Sequence, residues 1–183
     1  MAKNIVIGIG NLLFCDDGIG VIATTYLKEN FEFTPKLELL DGGTLGFNLI
    51  EYFLEYDNVF IIDTISTNNK AGSIYKIPSD ELLGSNRYKN TAHEVEVIQI
   101  LEACQLHEKK ANVTIFGIIP QDIVSLKIGL SEVLHTQFEK LIQTVIGEIE
   151  NLEINTQRKN TKSLEKIIDS LNLRDRSENP LES

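Results

Sequence analysis

Ile5-Val6-Ile7-Gly8-Ile9-Gly10-Asn11, followed a few residues later by Asp16-Asp17-Gly18-Ile19-Gly20, is the stretch whose reading decides the architecture. An apolar run that breaks at glycine reads as a buried strand, and the acidic pair ahead of Gly18 reads as a loop that delivers carboxylates to the mouth of a helix. Residues 59–62, Val-Phe-Ile-Ile, form another such run and end in Asp63, while Thr91-Ala92-His93 sits in a polar stretch just ahead of a helical pattern. Ligands of open parallel sheets collect at the carboxyl ends of the strands. Asp17, Asp63 and His93 therefore have a route to one place despite their separation in sequence.

Working outward, residues 36–40 read as a strand ending in Asp41-Gly42-Gly43-Thr44, a turn ahead of a helical stretch over residues 46–56. Residues 72–77 alternate as a strand stopped by Pro78, and the connection from Asp63 is too short for a crossover helix, so an antiparallel edge strand is expected. Between residues 94 and 105, Val95, Ile98 and Leu101 recur at helical spacing, which makes His93 a helix-entry residue. Residues 112–119 form a strongly apolar strand ended by Pro120, and Ser131 precedes a long helix with Leu134, Phe138, Leu141, Val145 and Ile149 on one face. Strands alternating with helices predict an α/β fold over residues 1–154: a three-layer domain with a twisted, mostly parallel five-stranded sheet, one antiparallel edge strand and helices on both faces. Residues 155–183 are polar and charge-dense and read as a C-terminal surface tail, the alternative being that Leu164, Ile167, Ile168 and Leu171 form one short amphipathic helix that docks.

A chain of 183 residues, 42% hydrophobic, suits one domain of ordinary size. Its net charge of -10 excludes the basic surface that phosphate neutralisation requires, so no nucleic-acid partner is expected. Cys15 and Cys104 are too few for a disulfide framework and form no Cys-x-x-Cys pair, which fits a cytoplasmic protein. The apolar run after Lys3 is not expected to be a signal peptide, because Asn11 interrupts it, two aspartates follow and no small-residue cleavage site appears. Nor does any stretch approach the roughly 18 apolar residues of a membrane span, so no membrane insertion is expected.

Two aspartates and a histidine form a sensible set for a borderline divalent metal, since imidazole suits zinc and nickel and carboxylates add charge. Each residue also has a plain explanation: Asp16 or Asp17 as a helix cap, Asp63 as a strand-end turn residue, His93 as a local cap or pair. A second enzymatic reading takes Cys15 as nucleophile, His93 as base and Asp63 as orienter. A dinucleotide-binding reading of Gly8-x-Gly10 fails on Leu13, where the third glycine belongs, and on Asp41, which lies 33 residues beyond Gly8 where about 20 is expected.

In order and spacing, Gly8-Ile9-Gly10-Asn11 with Asp16-Asp17-Gly18-Ile19-Gly20, Leu40-Asp41-Gly42-Gly43-Thr44, Ile62-Asp63, His93, and Phe116-Gly117-Ile118-Ile119-Pro120 with Ile128-Gly129-Leu130-Ser131 resemble the hydrogenase maturation endopeptidases. The resemblance covers residues 3–152. It implies removal of a short C-terminal extension from the large-subunit precursor of a nickel-iron hydrogenase after nickel insertion, with metal ligands at Asp17, Asp63 and His93 and the nickel supplied by the substrate. Many members have glutamate where this chain has Asp17; the shorter side chain requires a loop nearer the metal or a bridging water. Asp41 is then a candidate catalytic residue, as a base or as a support for the metal ligands, and Gly42, Gly43 and Thr44 a candidate substrate-binding loop whose glycines permit movement. A nickel-binding chaperone without hydrolytic activity would share every ligand. Residues 79–90 are expected to form a loop carrying partner specificity.

Overall fold

The computed structural model describes residues 2–44, 46–84, 92–104 and 111–178. Strand β1 (Asn4–Ile9) is buried at every position, as a parallel strand covered on both faces must be. A 3-10 turn (Cys15–Gly18) leads into α1 (Ile19–Asn30), followed by β2 (Phe31–Thr34), β3 (Glu38–Gly43), a second 3-10 turn (Gly46–Leu49) and α2 (Ile50–Glu55). Then come β4 (Asn58–Thr64), β5 (Ile74–Pro78), α3 (Ser79–Gly84), α4 (Ala92–Cys104), β6 (Asn112–Ile118), α5 (Glu132–Glu150), β7 (Asn155–Arg158) and α6 (Leu164–Glu178).

The main sheet has the order β3-β1-β4-β6-β5. Its first three pairings are parallel, and β5 runs antiparallel to β6 at the edge, as expected. Strand alternation divides the core cleanly. Val6, Phe60, Ile62 and Phe116 pack with Ile22 of α1 and Leu134 of α5 on one face. Ile5, Ile7, Val59 and Ile61 pack with Phe53 of α2, Leu82 of α3 and Ile100 of α4 on the other. The chain winds outward from β1 by way of α1 in one direction and from β4 by way of α4 in the opposite one, on opposite faces. The carboxyl ends of β1 and β4 thus flank a topological switch point, the position at which open α/β sheets bind their ligands.

Glycine permits the close approach of α1 to these strand ends. A Cβ on Gly20 would lie 2.2 Å from the carbonyl oxygens of both Ile62 and Ile9, so α1 starts directly against the backbones of β4 and β1.

Two expectations are corrected. Residues 155–178 are not a surface tail: β7 pairs antiparallel with β2, and α6 buries Leu164, Ile167 and Leu171 in the cluster that contains Ile22 and Leu27. The physical reason lies in α1, which is buried on nearly every side and so needs cover beyond the sheet. Asn30 fastens the join, its Oδ1 accepting from Lys162 N at 2.7 Å and its Nδ2 donating to Lys162 O at 3.1 Å. Residues 79–84 of the expected specificity loop are the helix α3, with Leu82 in the core; residues 85–90 lie outside the described residues. Among the described residues, no helix is long and apolar enough to cross a membrane.

Candidate functional site

β1 ends in a turn through Gly10, whose φ of +134 suits glycine and whose N–H donates to Gly43 O at 2.9 Å, tying the turn to β3. The following 3-10 turn sets two adjacent aspartates to different tasks. Asp16 is fully buried. Its Oδ2 accepts the amides of Gln121 and Asp122 at 2.8 and 2.9 Å, and its Oδ1 that of Ser131 at 2.6 Å. These charge-assisted bonds stitch the β1–α1 loop to the segment that leaves β6. Neither aspartate caps α1, whose N-cap is Gly18 with no side-chain cap.

Asp17 is only half-buried. Its Oδ2 accepts from Asn11 N at 2.9 Å, and its Oδ1 accepts from the Thr64 hydroxyl at 3.4 Å. Asp63, on the last turn of pleat in β4, is 3% exposed and its Oδ1 accepts the amide of Thr64 at 2.7 Å. Thr64 therefore contacts both carboxylates, one through its side chain and one through its backbone. Such outer contacts orient carboxylates that bind metals. Nothing in the sequence marks Thr64 for this role beyond its place next to Asp63.

His93 is the second residue of α4, and only its backbone is described. Because α4 precedes β6 and returns the chain to that strand's start, its first turn lies at the carboxyl edge of the sheet, and the helix packs against the turn Gly46–Leu49. Strand alternation assigns Asp63 to the α4 face, along with Val59 and Ile61. Among the described residues, with the side chain of His93 outside them, no three His, Cys, Asp or Glu residues are grouped to hold a metal ion. A metal ion held by Asp17 and Asp63 would need a further donor from beyond that set.

Asp41 lies at the same edge, exposed, with Oδ1 accepting from Gly43 N at 3.0 Å. Gly42 and Gly43 belong to β3 itself, where Gly43 pairs with Ile9 across a register shift. A Cβ on Gly42 would meet Ile7 Cγ2 at 2.7 Å, which gives that glycine a packing role. Thr44 is exposed just beyond the strand.

Cys15 is 3% exposed with φ at 46, and its Sγ lies 3.9 Å from Asp16 Oδ1. Burial pushes its thiol up, and the negative charges of Asp16 and Asp122 push it further. A reactive thiol needs the reverse surroundings, exposed and electropositive.

With the fold and the carboxylate pair in place, comparison with known proteins assigns the class. The hydrogenase maturation protease family model matches residues 21–148, and the chain belongs to that family. It is 31% identical over 149 residues to a putative hydrogenase maturation protease of Methanocaldococcus jannaschii, covering 79% of this chain and 95% of that one. To the hydrogenase 2 maturation protease of Escherichia coli it is 27% identical over 147 residues, covering 79% and 89%. The solved structure of the hydrogenase maturating endopeptidase HybD from Escherichia coli superposes with a TM-score of 0.79 at 24% identity, covering 86% of this chain and 98% of that one, and shows the same fold.

Proposed function

We propose that this chain is the endopeptidase that removes a short C-terminal extension from the nickel-loaded large-subunit precursor of a nickel-iron hydrogenase. The observation that carries the reading is the pair Asp17 and Asp63, brought to the switch point by separate strands and both contacted by Thr64. Membership of the maturation protease family supports proteolysis as the activity.

In this reading Asp17, Asp63 and His93 complete the coordination shell of nickel held by the precursor's own cysteines, so the substrate docks by its metal. Asp63, buried at the strand end, is the fixed donor; Asp17, half-buried on its turn, is the donor that meets the incoming protein. The substrate's nickel supplies Lewis acidity toward the scissile carbonyl. Asp41 serves as the candidate base at the carboxyl end of the neighbouring strand β3, and Gly42, Gly43 and Thr44 line the path of the extension.

The test mixes the purified chain with nickel-loaded and nickel-free precursor and follows the size of the precursor on a gel. Cleavage of the loaded form alone is expected. Equal cleavage of both forms removes nickel from recognition, and binding of the loaded form without cleavage replaces the protease with a nickel-binding chaperone.

A further inference from the structure

Beside Asp17, two loops are locked into one platform. Lys127 N donates to Leu13 O at 3.0 Å, Cys15 N to Lys127 O at 2.9 Å, and Asp16 N to Asp122 O at 2.9 Å. From within, Asp16 holds the amides of Gln121, Asp122 and Ser131. The Asp122 carboxylate closes the far turn, its Oδ1 accepting from Val124 N and Ser125 N at 3.0 Å each.

This platform displays apolar side chains outward: Val124 is 80% exposed, Leu126 79%, Leu13 44% and Ile123 43%. Among the described residues the remaining exposed large hydrophobic is Leu173, on α6. A slack loop would fold such side chains in, but this ladder of backbone bonds holds them in water. They can lose that hydration only against another molecule. The acids of the platform are turned inward, Asp16 to backbone amides and Asp122 to its own turn, so a chain of net charge -10 presents an apolar face here.

We infer that Leu13, Ile123, Val124 and Leu126 form the seat for the precursor protein surface that surrounds its cleavage point, an inference that rests on the protease reading. Continuity selects this occupant. The ladder ties the loop tip to Leu13 and to Cys15 and Asp16, the residues next to Asp17, so a precursor docked at Asp17 has these side chains beside it.

The test uses the full chain carrying Val124→Asp and Leu126→Asp, positions too exposed for folding to depend on them, beside Val124→Ile with Leu126→Met as the apolar-preserving control. Binding of nickel-loaded precursor is measured by surface plasmon resonance, and cleavage by gel. The aspartate variant is expected to keep the wild-type melting temperature, bind at least about tenfold more weakly and show a raised KM with kcat little changed, as removal of two buried apolar contacts predicts; the control binds like wild type. Unchanged affinity of the aspartate variant while the wild type cleaves normally overturns the seat and leaves the protease reading intact. Wild type that binds but does not cut, with binding lost in the variant, removes the protease reading and keeps the seat. A wild-type dimer in sedimentation that the aspartate variant dissolves assigns the face to a second copy and overturns the inference.

Discussion

Thr64 donates its hydroxyl to Asp17 Oδ1 at 3.4 Å while its amide donates to Asp63 Oδ1 at 2.7 Å. The first bond is long and the second short, and they predict unequal effects. Asp17→Asn, Asp63→Asn and His93→Ala each abolish precursor cleavage with little change in melting temperature. Thr64→Val, which keeps the amide bond and loses the hydroxyl, lowers kcat/KM by about tenfold or less, an orienting contribution of roughly 1 kcal/mol, and Thr64→Ser restores it. Full activity in Asp17→Asn or Asp63→Asn would take that residue out of the site.

The neighbouring aspartate behaves in the opposite way. Asp16→Ala strips the partner from three part-buried amides, at a cost of about 3 kcal/mol and roughly 10 °C in melting temperature. Thermal unfolding of Asp16→Ala and Asp17→Ala side by side checks this; equal melting temperatures would show that water replaces the Asp16 carboxylate without loss.

Glycines separate in the same fashion. Gly20→Ala places a methyl 2.2 Å from two carbonyl oxygens and costs about 3 kcal/mol or more. Gly147→Ala, on an exposed stretch of α5 with no atom within 4 Å of the added Cβ, stabilises by about 0.5–1 kcal/mol. Urea midpoints of the two variants give the comparison directly.

Ile167 is 1% exposed in the α6 contact with α1, so Ile167→Ala is expected to cost about 3 kcal/mol. Truncation after Ile154 should lower the melting temperature further, by uncovering the outer side of α1. A truncated chain that melts like the full one would show that this contact adds nothing to stability.

The raised thiol of Cys15 fixes the sign of a pH effect. The folded chain holds this proton more tightly than the unfolded one. The resulting stability is complete below the ordinary thiol range and is lost as pH rises through the raised folded value. Alkylation of the native chain at neutral pH should be slow at Cys15, and Cys15→Ala should retain cleavage. Rapid alkylation that stops cleavage would restore the cysteine to the reaction.

The central strands were legible because unbroken apolar runs ending at Gly8, Asp63 and Pro120 have few meanings other than buried parallel strands, and the short link after Asp63 left no room for a crossover. The division of work between Asp16 and Asp17 was not, since adjacent acids on one turn look alike until the chain from Gln121 to Ser131 arrives from far away in sequence. Residues 155–178 were misread for a related reason. Their apolar stripe of Leu164, Ile167 and Leu171 is thin, and the signal for docking sat elsewhere, in an α1 with Ile19, Val21, Ile22, Ala23, Tyr26 and Leu27 too apolar all round for a helix with one covered face.

The donors that hold Asp16 are main-chain amides, which every residue except proline carries. Side chains at positions 123 to 126 can therefore be exchanged wholesale while the anchoring stays as it is. With the precursor seated on the loop tip as proposed, partner choice and bond-breaking would be separately heritable: a duplicated copy of this gene could drift toward a new client protein through that tip, with no compensating change owed at Asp17 or Asp63.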